Sequence, residues 1–137
     1  MRRGIDIRVD DRVLSAEYRA LREAVGWRSV EATDAVLQGA LDRTWSATAR
    51  DQEGRLVGLV RLQDDAVLYA SVWDMIVRPD FQQQGIGTKL LETVLDRTRS
   101  RHLVSLVATP AGIRMYRNAG FTEESRGSIP LVWRPGE

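Results

Sequence analysis

The chain has 137 residues, 43% of them hydrophobic, and a formal net charge of +1, which fits one folded domain and excludes a disordered chain. Near-neutral charge removes the electrostatic case for nucleic acid or a membrane surface as principal partner. With no cysteine and a single histidine, His102, disulfides, thiolate metal sites and Cys-His or Ser-His-Asp chemistry lack material, and no metal is expected.

No apolar run approaches the roughly 18 residues of a membrane span, and Met1-Arg2-Arg3 leads into no signal-peptide core. The expected location is therefore cytoplasmic, and a single domain is expected over residues 1–137. Ile5, Ile7 and Val9 alternate with polar residues and predict a short edge strand. Leu14, Tyr18, Leu21 and Val25 recur at helical spacing, with Ser15 as the expected cap and Gly26 as the stop. A second helix is predicted from Ser29 to about Leu41, with Val30, Thr33, Val36, Leu37, Ala40 and Leu41 facing inward. Trp45 to Arg50 reads as a strand, Asp51-Gln52-Glu53-Gly54 as a turn, and Leu56 to Leu62 as the hairpin partner. The long apolar run from Val67 to Val77 reads as a central strand.

A helix opens near Gly85, with Leu90, Leu91, Val94 and Leu95 on one stripe. Leu103 to Ala108 reads as another buried strand. Pro110 starts a short helix that carries Ile113 and Tyr116 and stops at Gly120. Phe121 to Trp133 is expected to close the sheet with a pair of strands. This order predicts an α/β fold with a mixed central sheet of about six to seven strands and about four helices.

Between the central strand and the long helix lies Val77-Arg78-Pro79-Asp80-Phe81-Gln82-Gln83-Gln84-Gly85-Ile86-Gly87-Thr88-Lys89. A dinucleotide fingerprint would need a third glycine where Leu90 stands. A P-loop would need four residues between the glycines and Lys-Ser/Thr after the second, whereas one residue separates them and Thr88 precedes Lys89. What remains is Gln82-x-x-Gly85-x-Gly87 at the mouth of a helix. Glycine lets backbone N–H groups approach an anion, and the first helical turn adds unpaired donors and a favourable dipole. A row of such donors suits a pyrophosphate.

That stretch resembles motif A of the GNAT acyltransferases, Gln/Arg-x-x-Gly-x-Gly/Ala, which holds the pyrophosphate of acetyl-CoA. Met115-Tyr116-Arg117-Asn118-Ala119-Gly120-Phe121 resembles the Tyr-x-x-x-Gly-Phe of motif B. The resemblance implies a GNAT-like acyl-CoA N-acyltransferase fold and acetyl-CoA as co-substrate. It also implies that the central strand splays from its parallel neighbour at a β-bulge. Met75, Ile76 and Val77 would then bond the pantetheine arm through their backbone. Gln82, Gln83, Gln84, Gly85, Ile86, Gly87, Thr88 and Lys89 would surround the diphosphate. For Lys89, a solvated helix lysine is the alternative.

In the family the tyrosine of motif B faces the coenzyme sulfur, which makes Tyr116 the expected proton donor to the departing thiolate. Asp74 lies inside an apolar strand. It reads either as a structural group or as the base that deprotonates the amine, its acidity lowered by burial. Strict alternation puts Asp74 and Ile76 on one face of the strand and Trp73, Met75 and Val77 on the other. Where many relatives carry Asn seven residues before the tyrosine, this chain has Thr109, whose hydroxyl is the available substitute. Arg97, Arg99, Arg101 and His102 read as a solvated helix end or as a 3′-phosphate contact.

Trp27 is expected beside the acceptor site, and Trp73 and Tyr69 read as aromatic walls, with core packing as the favoured alternative for those two. Short segments resemble the branch with plant and cyanobacterial arylalkylamine acetyltransferases and favour a small primary amine as acceptor. A protein or peptide amine acetyltransferase and a silent acyl-CoA sensor are the competing readings. By analogy with the family, a homodimer through the late strands around Val132 and Trp133 is also expected.

Overall fold

The computed structural model describes residues 4–123 and 126–136 and resolves into two units, Met1–Val107 and Ala108–Glu137. In the first unit, strands β1 (Asp6–Val9), β2 (Trp45–Arg50), β3 (Leu56–Asp64), β4 (Tyr69–Val77) and β5 (Leu103–Ser105) form one sheet in that order. Each neighbouring pair is antiparallel except β4 and β5, which run parallel. Three helices complete the unit: α1 (Ser15–Ala24), α2 (Asp34–Asp42) and α3 (Ile86–Thr98).

Adjacent residues on β3 show how the layers are arranged. Leu59 joins Tyr18, Leu21, Leu37, Leu41 and Ile76 in a core beneath α1 and α2. A Cβ on its neighbour Gly58 would stand 3.1 Å from Ile86 and 3.3 Å from Leu90. Successive strand residues point to opposite faces, so α1 and α2 cover one face of the sheet and α3 covers the other. Gly58 has no side chain because α3 lies against the backbone there.

Several local expectations change. Ser15 is the first residue of α1 rather than its cap; the Leu14 amide donates instead to Glu17 Oε2 at 2.9 Å. At the other end, the Gly26 and Trp27 amides donate to the carbonyls of Glu23 and Arg22, closing the helix where expected. The second helix begins at Asp34, not Ser29, because Thr33 caps it by accepting from the Val36 amide. Thr33 therefore does not face the core, and Val36 is 64% exposed. Strand β5 is short and not buried, since only Leu103–Ser105 pair with β4.

The second unit holds α4 (Ile113–Asn118). The closing pair expected between Phe121 and Trp133 is absent among the described residues, with residues 124 and 125 outside them. Ile129, Leu131 and Trp133 are each at least 80% exposed, so none of the three is a core residue. Among the described residues the sheet has five strands rather than six to seven, and the α-helices number four, as expected.

Candidate active site

Strand β4 changes character halfway along. Its first residues, Tyr69, Ala70 and Ser71, pair with β5 on one side, and Ala70 and Ser71 pair with β3 on the other. After Ser71 the pairing with β5 stops, while the ladder to β3 continues to Val77. Between the pairs Arg61↔Trp73 and Leu59↔Ile76, β3 advances two residues and β4 three. The extra residue is a β-bulge, as the family resemblance implies, and Asp74 stands there in the left-handed region at φ 54°. A non-glycine residue at positive φ costs energy and persists only when its surroundings hold it.

The bulge overturns strict alternation along this strand. Trp73 and Ile76 pair with Arg61 and Leu59, which share a face of β3, so Trp73 and Ile76 share that face too. The backbone of Ile76 also differs from expectation. The Arg78 amide donates to the Val57 carbonyl at 2.8 Å. By the alternation of an antiparallel ladder, the backbone groups of Ile76 likewise point at β3, whereas those of Met75 and Val77 point away from it. Met75 and Val77 thus present main-chain groups along the edge that β5 has left, and Ile76 contributes only its buried side chain.

The Val77 carbonyl already accepts from Gln82 Nε2 at 2.9 Å, which anchors the following loop to the strand. A short 3₁₀ turn, Pro79–Phe81, leads into Gln83 at φ 61° and Gly85 at φ 85°. Two left-handed residues on the way into α3 curl this loop, with the amides of Ile86, Gly87 and Thr88 forming the first helical turn. Lys89 is the first residue whose amide returns to the helix, donating to the Gly85 carbonyl. A Cβ at Gly85 would meet open space, so glycine is required there by φ and not by crowding. Gln84 donates to the Asp80 carbonyl, and Lys89 is half exposed and paired with Glu92 at 3.4 Å. Lys89 thus fits the solvated alternative.

On the α1 face of the bulge lies a cluster that sequence reasoning missed. The Tyr18 hydroxyl donates to Asp74 Oδ2 at 2.6 Å, and Arg61 Nη1 donates to the same oxygen at 2.9 Å. Arg22 Nη1 lies 3.8 Å from Asp74 Oδ1. Arg61 also donates through Nε and Nη2 to Thr44 Oγ1. Burial and then the Asp74 carboxylate push the Tyr18 phenol above its ordinary pKa, so it stays a donor. Two guanidiniums face one carboxylate, and among the described residues the buried Nε of Arg22 has no hydrogen-bond partner. The guanidinium of Arg22 sits over the Trp27 ring at 5.3 Å. Trp27 and Trp73 are 39% and 49% exposed, so neither is a core residue. The signal for this cluster was an arginine inside the apolar run of β3 next to an aspartate inside that of β4.

In the second unit, Tyr116 is buried and packs edge-on against Phe121 at 5.9 Å. Burial raises its phenol pKa, and no described residue bonds its hydroxyl. Thr109 Oγ1 accepts from the Gly112 amide at 3.2 Å and so is engaged in the entry to α4.

Arg97 and Arg101 are committed to Asp64, whose carboxylate they hold well below the usual carboxylate range. They line an open groove of about 630 Å³ with Val9, Trp45 and Thr93, and no residue expected at the pantetheine, the diphosphate or the acceptor lines it. Among the described residues no helix is long and apolar enough to cross a membrane.

The acetyltransferase (GNAT) family model matches residues 13–121. An uncharacterized N-acetyltransferase of Porphyra purpurea is 28% identical over 123 residues, covering 87% of this chain and 71% of that protein. A histone acetyltransferase of Glycine max is 28% identical over 130 residues, and this chain spans only 56% of its length. A solved GNAT-family acetyltransferase of Streptococcus pneumoniae superposes with a TM-score of 0.80 at 31% identity, covering 97% of this chain and 99% of that one.

Proposed function

Because the chain belongs to the GNAT acetyltransferase family, we propose that it moves the acetyl group of acetyl-CoA to a primary amine, a small molecule rather than a protein tail, within a ternary complex. One observation carries the reading. The half of β4 that β5 leaves unpaired runs directly into the curled loop and first turn of α3 that present the amides of residues 83–88. A strand-like pantetheine arm fits the first feature and its diphosphate the second. Met75 and Val77 bond the arm through their main chains, and the Met75 amide polarises the thioester carbonyl.

In the step itself the amine nitrogen attacks the carbonyl carbon, the C–S bond breaks, and the nitrogen loses a proton to solvent water. Tyr116 returns a proton to the departing thiolate, and its raised pKa keeps it protonated for that purpose. Holding the two reactants together supplies much of the rate. The family match runs through both units, which supports treating residues 1–137 as one domain; its residence in the cytoplasm and a homodimer through the exposed Val132 and Trp133 belong to the same proposal.

Local charge favours a small acceptor. A basic protein tail approaching Asp74 would meet the excess positive charge of Arg22 and Arg61. The exposed indoles of Trp27 and Trp73 offer flat apolar walls to an aromatic amine. The test is thiol release from acetyl-CoA across arylalkylamines, polyamines and lysine peptides. Turnover with arylalkylamines is expected; turnover with peptides alone shifts the assignment to a protein substrate, and coenzyme binding without any turnover to a sensor.

A further inference from the structure

We infer that Asp74 is a positioning residue rather than the base: with Tyr18 and Arg61 it forms a clamp that holds the β4 bulge, and through the bulge aims the Met75 amide at the thioester. This rests on the proposed acetyl transfer. Three observations lead to it. Asp74 occupies the left-handed region at φ 54°, which an ordinary L residue enters only under constraint. The constraint is visible in the 2.6 Å bond from Tyr18 of α1 and the 2.9 Å bond from Arg61 of β3, both to Oδ2. The residue after Asp74 is Met75, whose main chain faces the edge vacated by β5.

The clamp links three elements. Tyr18 comes from a helix 56 positions away in sequence and Arg61 from the adjacent strand, 13 positions away. Arg61 is itself fixed by two bonds to Thr44 Oγ1, at the entry to β2. A β4 without this tie would have lower energy with the extra residue relaxed out of the left-handed region. The Met75 amide would then turn by a fraction of its present direction. Misplacing a catalytic group by about 1 Å costs on the order of 10²-fold in rate.

The carboxylate is also poorly placed to act as a base. The oxygen that accepts from Tyr18 and Arg61 is engaged, and the other faces Arg22. An ammonium drawn to it would have to compete with two guanidiniums already in place. A neutral amine meets no such barrier, and two nearby cations favour the neutral form of the incoming amine. The cluster therefore supports deprotonation without itself accepting the proton.

Asp74→Asn, Asp74→Ala and Asp74→Gly separate the two roles. Asparagine tolerates positive φ and still accepts from Tyr18 and Arg61. For Asn, kcat/KM is expected within about 3-fold of the parent, with the acidic limb of its pH profile in place. Alanine and glycine both lack the acceptor, although glycine suits the dihedral. For both, kcat is expected to fall on the order of 10²-fold with KM for acetyl-CoA changed far less. Tyr18→Phe, which keeps the ring in the core, is expected to lower kcat about 3- to 10-fold and covers the case in which the alanine variant fails to fold.

Amide exchange gives a readout independent of turnover: Met75, Ile76 and Val77 should exchange faster in the Ala, Gly and Phe variants and at the parental rate in Asn. An Asn variant as slow as Ala, with the acidic limb lost in both, would make Asp74 the base and overturn the clamp. So would a glycine variant with parental rate and exchange. If the parent acetylates no amine, the proposed function fails, and the exchange measurements still decide whether the clamp exists.

Discussion

Two part-buried ion clusters flank α1, and they are built to opposite designs. At its first turn, Arg50 donates to Asp11 through Nε and to Glu17 through both terminal nitrogens, with the carbonyls of Gly54 and Arg12 taking further bonds. Thr48 completes the set by donating to Asp11 at 2.7 Å. Here one cation meets two carboxylates, and every donor of the guanidinium has an acceptor. Along the same helix, Tyr18 and Arg22 reach Asp74, where two cations meet one carboxylate and the Nε of Arg22 has no acceptor among the described residues. The first cluster also lies at a register shift, between Ala49 and Arg50 of the β2–β3 ladder, but Asp11, Glu17, Thr48 and Arg50 all keep negative φ. The second sits on a bulged residue at positive φ. Saturated bonding is a device for stability, whereas an unsaturated cluster on strained backbone marks where structure has been committed to geometry at a site.

The largest effect is expected from breaking the saturated cluster. Arg50→Met leaves two carboxylates facing each other in a part-buried setting and should cost about 3 kcal/mol, since removing one partner of a buried ion pair leaves the other uncompensated. Chemical denaturation would measure it, and kcat per folded molecule should be close to parental. A variant of normal stability would show that the network contributes little beyond its own desolvation.

Next in size is a change beyond both clusters, in the loop itself. Gly85→Val places a β-branched residue at φ 85°, a conformation that costs about 1–3 kcal/mol. The chain will relieve it by rotating the peptide and turning amides out of the loop. KM for acetyl-CoA should rise about 10-fold or more as phosphate donors are lost. Because a Cβ there meets open space, Gly85→Asn, which accepts positive φ more readily, should recover part of the affinity. Equal losses in both variants would point to crowding and against the dihedral argument.

Breaking the unsaturated cluster should show the reverse of the Arg50 result. Arg61→Met removes one of two guanidiniums from Asp74 and its link to Thr44. Arg22 can move in from 3.8 Å, so the stability cost is expected below that of Arg50→Met. The rate should fall about 10-fold through kcat as the bulge loosens. Stability lost with the rate untouched would make the two clusters alike and remove the contrast between them.

The sequence revealed one side of this contrast better than the other. Strand β2 occupies Trp45–Arg50 as its pattern predicts, and the glycine loop lies where two glycines after an apolar strand place it. These are local signals, readable within about ten residues. The clusters are not local: Glu17 and Arg50 are 33 positions apart, Tyr18 and Asp74 are 56. Tyr18 sits at a core position of α1, and its ring is indeed in the core, so periodicity alone could not show that its hydroxyl leaves the core to reach a strand. The bulge changes the face of every residue after it, and no alternation pattern contains that information. It entered only through resemblance, and the reading of faces along β4 failed at Trp73, which the bulge brings to the face of Ile76, for that reason. The closing strands failed differently: alternation near Ile129 and Trp133 is a strand signal, but a strand needs a partner.

The smallest effect concerns acid, and the sign follows from the pairing. Burial alone would raise the pKa values of Asp11 and Glu17, but hydrogen bonds from Arg50, with Thr48 and the Leu14 amide, more than offset it and hold both below their ordinary values. Groups lowered on folding contribute stability that is fully present above the unfolded pKa, near 4, and lost as pH falls through the folded value. Urea midpoints should therefore be flat from neutral pH to about 5 and decline below about 4. Glu17→Gln removes one of the two linked protons and should make that decline shallower, by an amount on the order of 1 kcal/mol at most. Arg50→Met should make it shallower still, because without the guanidinium the two carboxylates repel and protonation relieves them. A decline just as steep in Arg50→Met would assign the acid sensitivity elsewhere, with Asp64 between Arg97 and Arg101 as the next carboxylate to test.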